Sequence, residues 1–250
     1  MKVEQYQKRL RQLESWDDYL LNHSNLPGPR GNIELAQAVA REGDAQLFQR
    51  YLNFDAEQAP TNTPHEFLAF CGTVGLGKLL AEGDLSVLRQ LRQLAADPRW
   101  RIREGVAMAL QNWGAHDMSA LIAEMQDWSK RNLYEKRAAM AALCEPKLLK
   151  NETHATQVLE LLNQITHSIQ TVADRKQDAF RVLRKGLAYG WSVAIVAHPA
   201  LGKALFEQWL ASPDKDILFI IKENLKKNRL LKMDPTWTKE LQNRLYLKLP

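Results

Sequence analysis

Arg103-Glu104-Gly105-Val106-Ala107-Met108-Ala109, Arg137-Ala138-Ala139-Met140-Ala141-Ala142-Leu143 and Arg184-Lys185-Gly186-Leu187-Ala188-Tyr189-Gly190 are three passages of one 250-residue chain that follow a common pattern. Each has Arg, a small residue two positions on, an apolar residue at the third and Ala at the fourth. The spacings are 34 and 47 residues. On a helix, a small residue followed by an apolar one and Ala lets a neighbouring helix approach closely, while the Arg begins the face turned away from that contact. A single helix pair cannot bury its apolar face alone, so recurrence at this spacing predicts successive pairs stacking into a solenoid with a concave surface.

The surrounding sequence agrees. Thirty-eight Leu and 28 Ala against 10 Val and 9 Ile favour helix over strand. Leu85, Leu88, Leu91 and Leu94 repeat every three residues and mark one amphipathic helix. Asp97-Pro98 predicts an N-cap and a helix from about Pro98 to Trp113, ended by Gly114. Ser212-Pro213 and Asp234-Pro235 repeat this punctuation, and Asn132 with Glu135 resembles a capping box. Tyr6 to Asn22 reads as one helix, Leu26 to Gly31 as a break, and Asn32 as the cap of a helix from Ile33. The proline-flanked stretch 54–64 reads as a surface loop. The expected organisation is an all-α chain: an N-terminal helical portion over 1–64, then repeats over 65–250 forming a right-handed superhelical solenoid of about five or six antiparallel helix pairs.

Composition narrows the function classes. No apolar run approaches the roughly 20 residues that span a bilayer, so no membrane partner is expected. The charged start Met1-Lys2-Val3-Glu4 does not read as an export signal, and a cytoplasmic monomer is expected. Cys71 and Cys144, 73 positions apart, read as buried thiols. The six histidines fall in no ligand spacing, so neither metal nor cofactor is expected. Gly72 to Lys78 fits the G-x-x-x-x-G-K part of a phosphate-binding loop, but Leu79 stands where Ser or Thr would hold magnesium. Its glycines read better as close helix packing. A net charge of +5 permits acidic partners. Arg101, Arg103, Lys130, Arg131 and Lys136 near repeat ends, with Lys222, Lys226, Lys227 and Arg229, form a candidate basic stripe for a phosphate backbone.

Asp97 to Glu104, running into an Ala-rich helix, resembles the second-helix opening of HEAT-like repeats of the armadillo type, over roughly residues 66–230. Most such proteins are binding scaffolds, so the resemblance implies a binding module whose concave face takes a protein or duplex DNA. One enzyme group of this fold, the bacterial HEAT-repeat alkylpurine DNA glycosylases, offers a closer comparison. Its pattern is a Trp, a carboxylate four residues later, an Arg on the next repeat and a later aromatic. Trp100, Glu104, Arg137 and Tyr189 match in order, with Glu in place of the family's Asp and Tyr in place of its Trp. The resemblance implies excision of N-alkylated purines: the aromatic attracts the cationic base, the carboxylate stabilises charge developing on the sugar, and the Arg holds phosphate.

Overall fold

The computed structural model describes residues 2–247, which form helices joined by turns and loops with no strand among them. They form two compact units, residues 1–117 and 118–250 as divided by their contacts. The first holds α1 (Val3–Leu10), α2 (Asp17–His23), α3 (Ile33–Glu42), α4 (Ala45–Leu52), α5 (Pro64–Ala81), α6 (Leu88–Leu94) and α7 (Trp100–His116).

Its centre is α5, apolar on every side and buried over almost its whole length, as a helix enclosed by others must be. It packs on α3, α4 and α7 most extensively. Glycines let these neighbours approach: a Cβ on Gly75 would lie 2.3 Å from the Phe48 ring, and one on Gly77 would lie 2.3 Å from the Ala109 carbonyl oxygen. Lys78 donates to the Gly43 carbonyl at 2.8 Å at the end of α3. The passage resembling a phosphate loop is therefore helical packing, and Phe67 to Cys71 belongs to the same helix. On α7, a Cβ on Gly105 would meet Phe70 and Thr73 of α5 at 3.1 Å, which is the close approach expected of the small residue in the repeated pattern.

The helix expected over Tyr6–Asn22 is broken in two. The chain leaves α1 after Leu10 and re-enters at Asp17, with Trp16 donating its indole N–H to the Leu10 carbonyl at 3.0 Å. That bond uses a carbonyl which a continuing helix would have needed. Asp97 also departs from expectation. It accepts from the Arg99 backbone N–H at 2.8 Å and from that residue's guanidinium, so α7 begins at Trp100 and runs through Gly114 to His116. Arg99, 4% exposed, donates to the carbonyls of Phe54, Asp55 and Ala59 and ties the 54–64 loop down.

The second unit comprises α8 (Met118–Trp128), α9 (Leu133–Leu143), α10 (Glu152–Ser168), α11 (Asp178–Ala197), α12 (Pro199–Gln208), α13 (Lys215–Leu225), α14 (Asn228–Met233) and α15 (Pro235–Tyr246). Asn132 and Asp234 cap α9 and α15 as the sequence predicts, whereas at Ser212-Pro213 the cap falls two residues later, Asp214 accepting from the Asp216 N–H so that α13 begins at Lys215. Helices α9, α11 and α13 contact one another in succession, and α8, α10 and α12 do likewise behind them. The α9–α11 contact needs small side chains. A Cβ on Gly186 would fall 2.2 Å from the Met140 Cε, and one on Gly190 would fall 2.7 Å from its Sδ. The α11–α13 seam carries a buried amide: Asn224 accepts from the Ser192 N–H and donates to the carbonyls of Leu187 and Ile220. No described helix is long and apolar enough to cross a membrane.

Candidate nucleic-acid interface

Because Trp100 opens α7, its ring lies outside the helical core, and it is 42% exposed. The Arg101 guanidinium lies over that ring at 4.4 Å. Arg101 itself is 2% exposed. Its Nη1 donates to Glu66 Oε2 at 3.2 Å, and its Nη2 donates to the Gly28 carbonyl at 2.6 Å and to Asn62 Oδ1 at 3.4 Å. Glu66, fully buried at the start of α5, also accepts from the Asn62 backbone N–H at 2.7 Å. Asn62 has φ +66°, a left-handed conformation that Asn tolerates better than most residues, and its Oδ1 takes the Gly28 N–H at 2.9 Å. The two loops that precede α3 and α5 are thus joined through one buried guanidinium. Between them and Trp100 lies an open hollow of about 610 Å³, lined by Pro27, Gly28, Pro29, Asn62, Trp100 and Arg101.

Glu104 follows Trp100 one turn along α7 and is half-buried, so the two share a helical face. Arg103 is turned inward and donates to the carbonyls of Asp97 and Pro98. Arg101 and Arg103, expected on a basic stripe, are therefore corrected to buried positioning groups: their donors are directed at Glu66, Asn62 and backbone carbonyls. A guanidinium in the sequence carries no mark of whether phosphate or carbonyl will meet it.

In the second unit the other aromatic of the resemblance, Tyr189 on α11, is 45% exposed. Arg229 donates to its hydroxyl oxygen at 2.6 Å and sits 4.7 Å from its ring centroid, and the Lys227 ammonium lies 5.9 Å away. Arg137 of α9 reaches the same helix one turn earlier, its Cγ 3.9 Å from where a Gly186 Cβ would stand. Arg137 and Tyr189 are thus brought to neighbouring turns by the Gly186 contact. The remaining basic residues are spread out. Lys130 is exposed, and Arg131 pairs with Asp127 at 2.9 Å. Lys136 is half-buried and donates to Ser168 Oγ at 2.9 Å, and burial holds its ammonium below the usual lysine value. Lys226 pairs with Glu223 and, with Lys222, borders a small hollow of about 130 Å³ beside Tyr246. Arg184, in register with Arg103 and Arg137, is paired with Asp216 beneath the Phe219 ring.

Sequence reasoning missed Glu66 and Asn62, which organise the hollow. Their only local signals are a turn-forming Asn between prolines and a carboxylate in the first turn of an apolar helix. Both thiols are buried, and desolvation pushes Cys144 up to about 12 and Cys71 well above the ordinary thiol value. They are poor nucleophiles there. Compared with models of known families, with curated proteins and with solved structures, the chain finds no match.

Proposed function

We propose that this chain is a HEAT-like helical-repeat module that binds nucleic acid by stacking bases on exposed aromatic rings flanked by cations. The observation that carries the reading is the exposure of Trp100 and Tyr189, each with a guanidinium within 4.7 Å of its ring centroid. Large aromatics normally bury their area in the core. Two held open at the ends or faces of rigid helices suit bases, and Arg229 and Lys227 beside Tyr189 suit phosphates, whereas the Arg101 guanidinium behind Trp100 is engaged by Glu66 and the Gly28 carbonyl. Stacking on such a ring contributes about 1–3 kcal/mol per base, and cations add a salt-dependent part. The alternation of α9, α11 and α13 with α8, α10 and α12 supports the solenoid reading, as does the Gly105 and Gly186 close packing. Fluorescence anisotropy with a labelled oligonucleotide at several salt concentrations tests the function. Binding that weakens linearly in log–log form with salt supports it, and absence of binding at low salt overturns it.

A second reading, excision of N-alkylated purines, is favoured by Glu104 lying one turn beyond Trp100 on the same face. There the carboxylate would stabilise the cationic sugar as the base leaves. Release of free base from duplex DNA carrying one N-methylated purine tests it, with Glu104→Gln as control. Release abolished by that substitution supports excision, whereas binding without release leaves the binding module alone.

A further inference from the structure

The last three helices carry most of the chain's excess charge. Over residues 215–247 eight basic side chains stand against four acidic ones, while the whole chain has a net charge of +5. Where α15 returns against α13, the hollow of about 130 Å³ opens among Lys222, Leu225, Lys226, Gln242, Leu245 and Tyr246.

Its floor and its rim differ in chemistry. Leu225 and Leu245, 1% and 3% exposed, form an apolar floor. Gln242 donates its Nε2 to the Leu225 carbonyl at 2.9 Å and so satisfies one of the carbonyls that the end of α13 leaves open. With Nε2 engaged there, the amide oxygen faces the other way, as an acceptor without a partner among the described residues. On the rim, Lys222 in the last turn of α13 and Lys226 at its C-cap are four residues apart, so both ammoniums lie along one edge. Lys226 holds Glu223 at 2.5 Å, whereas Lys222 has no ion pair among the described residues. Tyr246 stands on the opposite rim, 71% exposed, and Leu247 after it is 88% exposed.

Size and lining select the occupant. A cavity of about 150 Å³ lined by apolar side chains takes a benzene-sized group, so this hollow has room for one apolar side chain and for no larger body. A nucleobase seated on the two leucines would exchange the water at its polar edge for a single amide, which is costly. A phosphate would meet the lysines and leave the floor uncovered. We propose that the α13–α15 hollow docks an acidic peptide segment of a partner protein, with one leucine-sized side chain filling it and flanking carboxylates meeting Lys222 and Lys226. A buried apolar anchor inside a charged rim is how interfaces combine affinity with choice of partner. This docking surface does not rest on the nucleic-acid reading.

The test uses a short fluorescein-labelled peptide with one central Leu between pairs of Asp and with Gly and Ser elsewhere. It is titrated with the full chain at low salt and followed by anisotropy. The Leu peptide is expected to bind at least about tenfold more tightly than the same peptide with Ala in that place, the worth of the buried methyl and methylene groups. Lys222→Glu is expected to weaken both peptides by about fivefold and to leave their ratio standing, an effect that fades as salt is raised. Tyr246→Ala is expected to shrink the ratio instead. Neither residue is buried, and unchanged circular dichroism confirms that both variants fold. Absence of binding by the Leu peptide, equal binding of the Leu and Ala peptides, or a ratio untouched by Tyr246→Ala overturns the proposal. So does oligonucleotide binding that falls with Tyr246→Ala as far as peptide binding does, which assigns the hollow to nucleic acid.

Discussion

Glu66→Ala deletes a fully buried carboxylate from the pair that joins the first unit's two loops. The Arg101 guanidinium would keep the Gly28 carbonyl at 2.6 Å and the weaker contact to Asn62 Oδ1 at 3.4 Å, but would lose its carboxylate partner at 3.2 Å. The Asn62 backbone N–H would lose its 2.7 Å acceptor at the same time. Stranding one member of a buried pair costs about 3–5 kcal/mol, far above the roughly 0–1 kcal/mol of a surface pair. Urea unfolding followed by circular dichroism, at matched dependence on urea, measures the difference. Because the cost arises from the stranded charge and not from a lost attraction, Glu66→Leu combined with Arg101→Leu is expected to be more stable than Glu66→Ala alone. A loss below about 1 kcal/mol for Glu66→Ala, the range of an exposed pair, would show that no buried charge is stranded. So would a double variant no more stable than the single one.

Three further outcomes are expected. Gly77→Ala places a Cβ 2.3 Å from the Ala109 carbonyl oxygen, with backbone rather than a flexible side chain in the way, so it should cost about 1–3 kcal/mol in the same urea assay. Asp17 and Asp214 are held below their ordinary carboxyl value of 3.8, chiefly by hydrogen bonds from Arg50 and Arg175. A depressed folded value gives stability that is complete above 3.8 and lost as pH falls through the folded value, so urea midpoints should hold steady above about pH 5 and drop below 3.8, and Asp214→Asn should shrink that drop. Arg229→Ala, whose partners are the Tyr189 ring and hydroxyl, should leave the melting temperature nearly unchanged and reduce the salt slope of oligonucleotide binding by about one.

The helices and their caps were legible because their causes are local. Asn32, Asn132 and Asp234 each accept from a backbone N–H two or three residues on, a signal contained within one turn of sequence. Gly105 and Gly186 were legible as small residues in a repeated register, and each marks a close helix approach. The break at residues 11–16 was not, since it depends on an indole returning to the Leu10 carbonyl. The site divides in the same way. Trp100 and Tyr189 stood out in the sequence as aromatics, and their exposure follows from where α7 begins and where α11 is left uncovered. Glu66 and Arg101 lie 35 residues apart, and neither the helical period of α5 nor that of α7 announces that they meet. Asn62 looked like loop filler between prolines, and only its left-handed backbone and its bond to Gly28 reveal that it shapes the hollow.

On the proposed function, bases stack on the two exposed aromatic rings. The most direct measurement is the dissociation constant of a single-stranded oligonucleotide for the unsubstituted chain, Trp100→Ala and Tyr189→Ala at one low salt concentration. Each substitution is expected to weaken binding by about fivefold to a hundredfold, the worth of about 1–3 kcal/mol of stacking, with unchanged helix content. Undetectable binding by the unsubstituted chain, or equal affinity in all three, would contradict the claim.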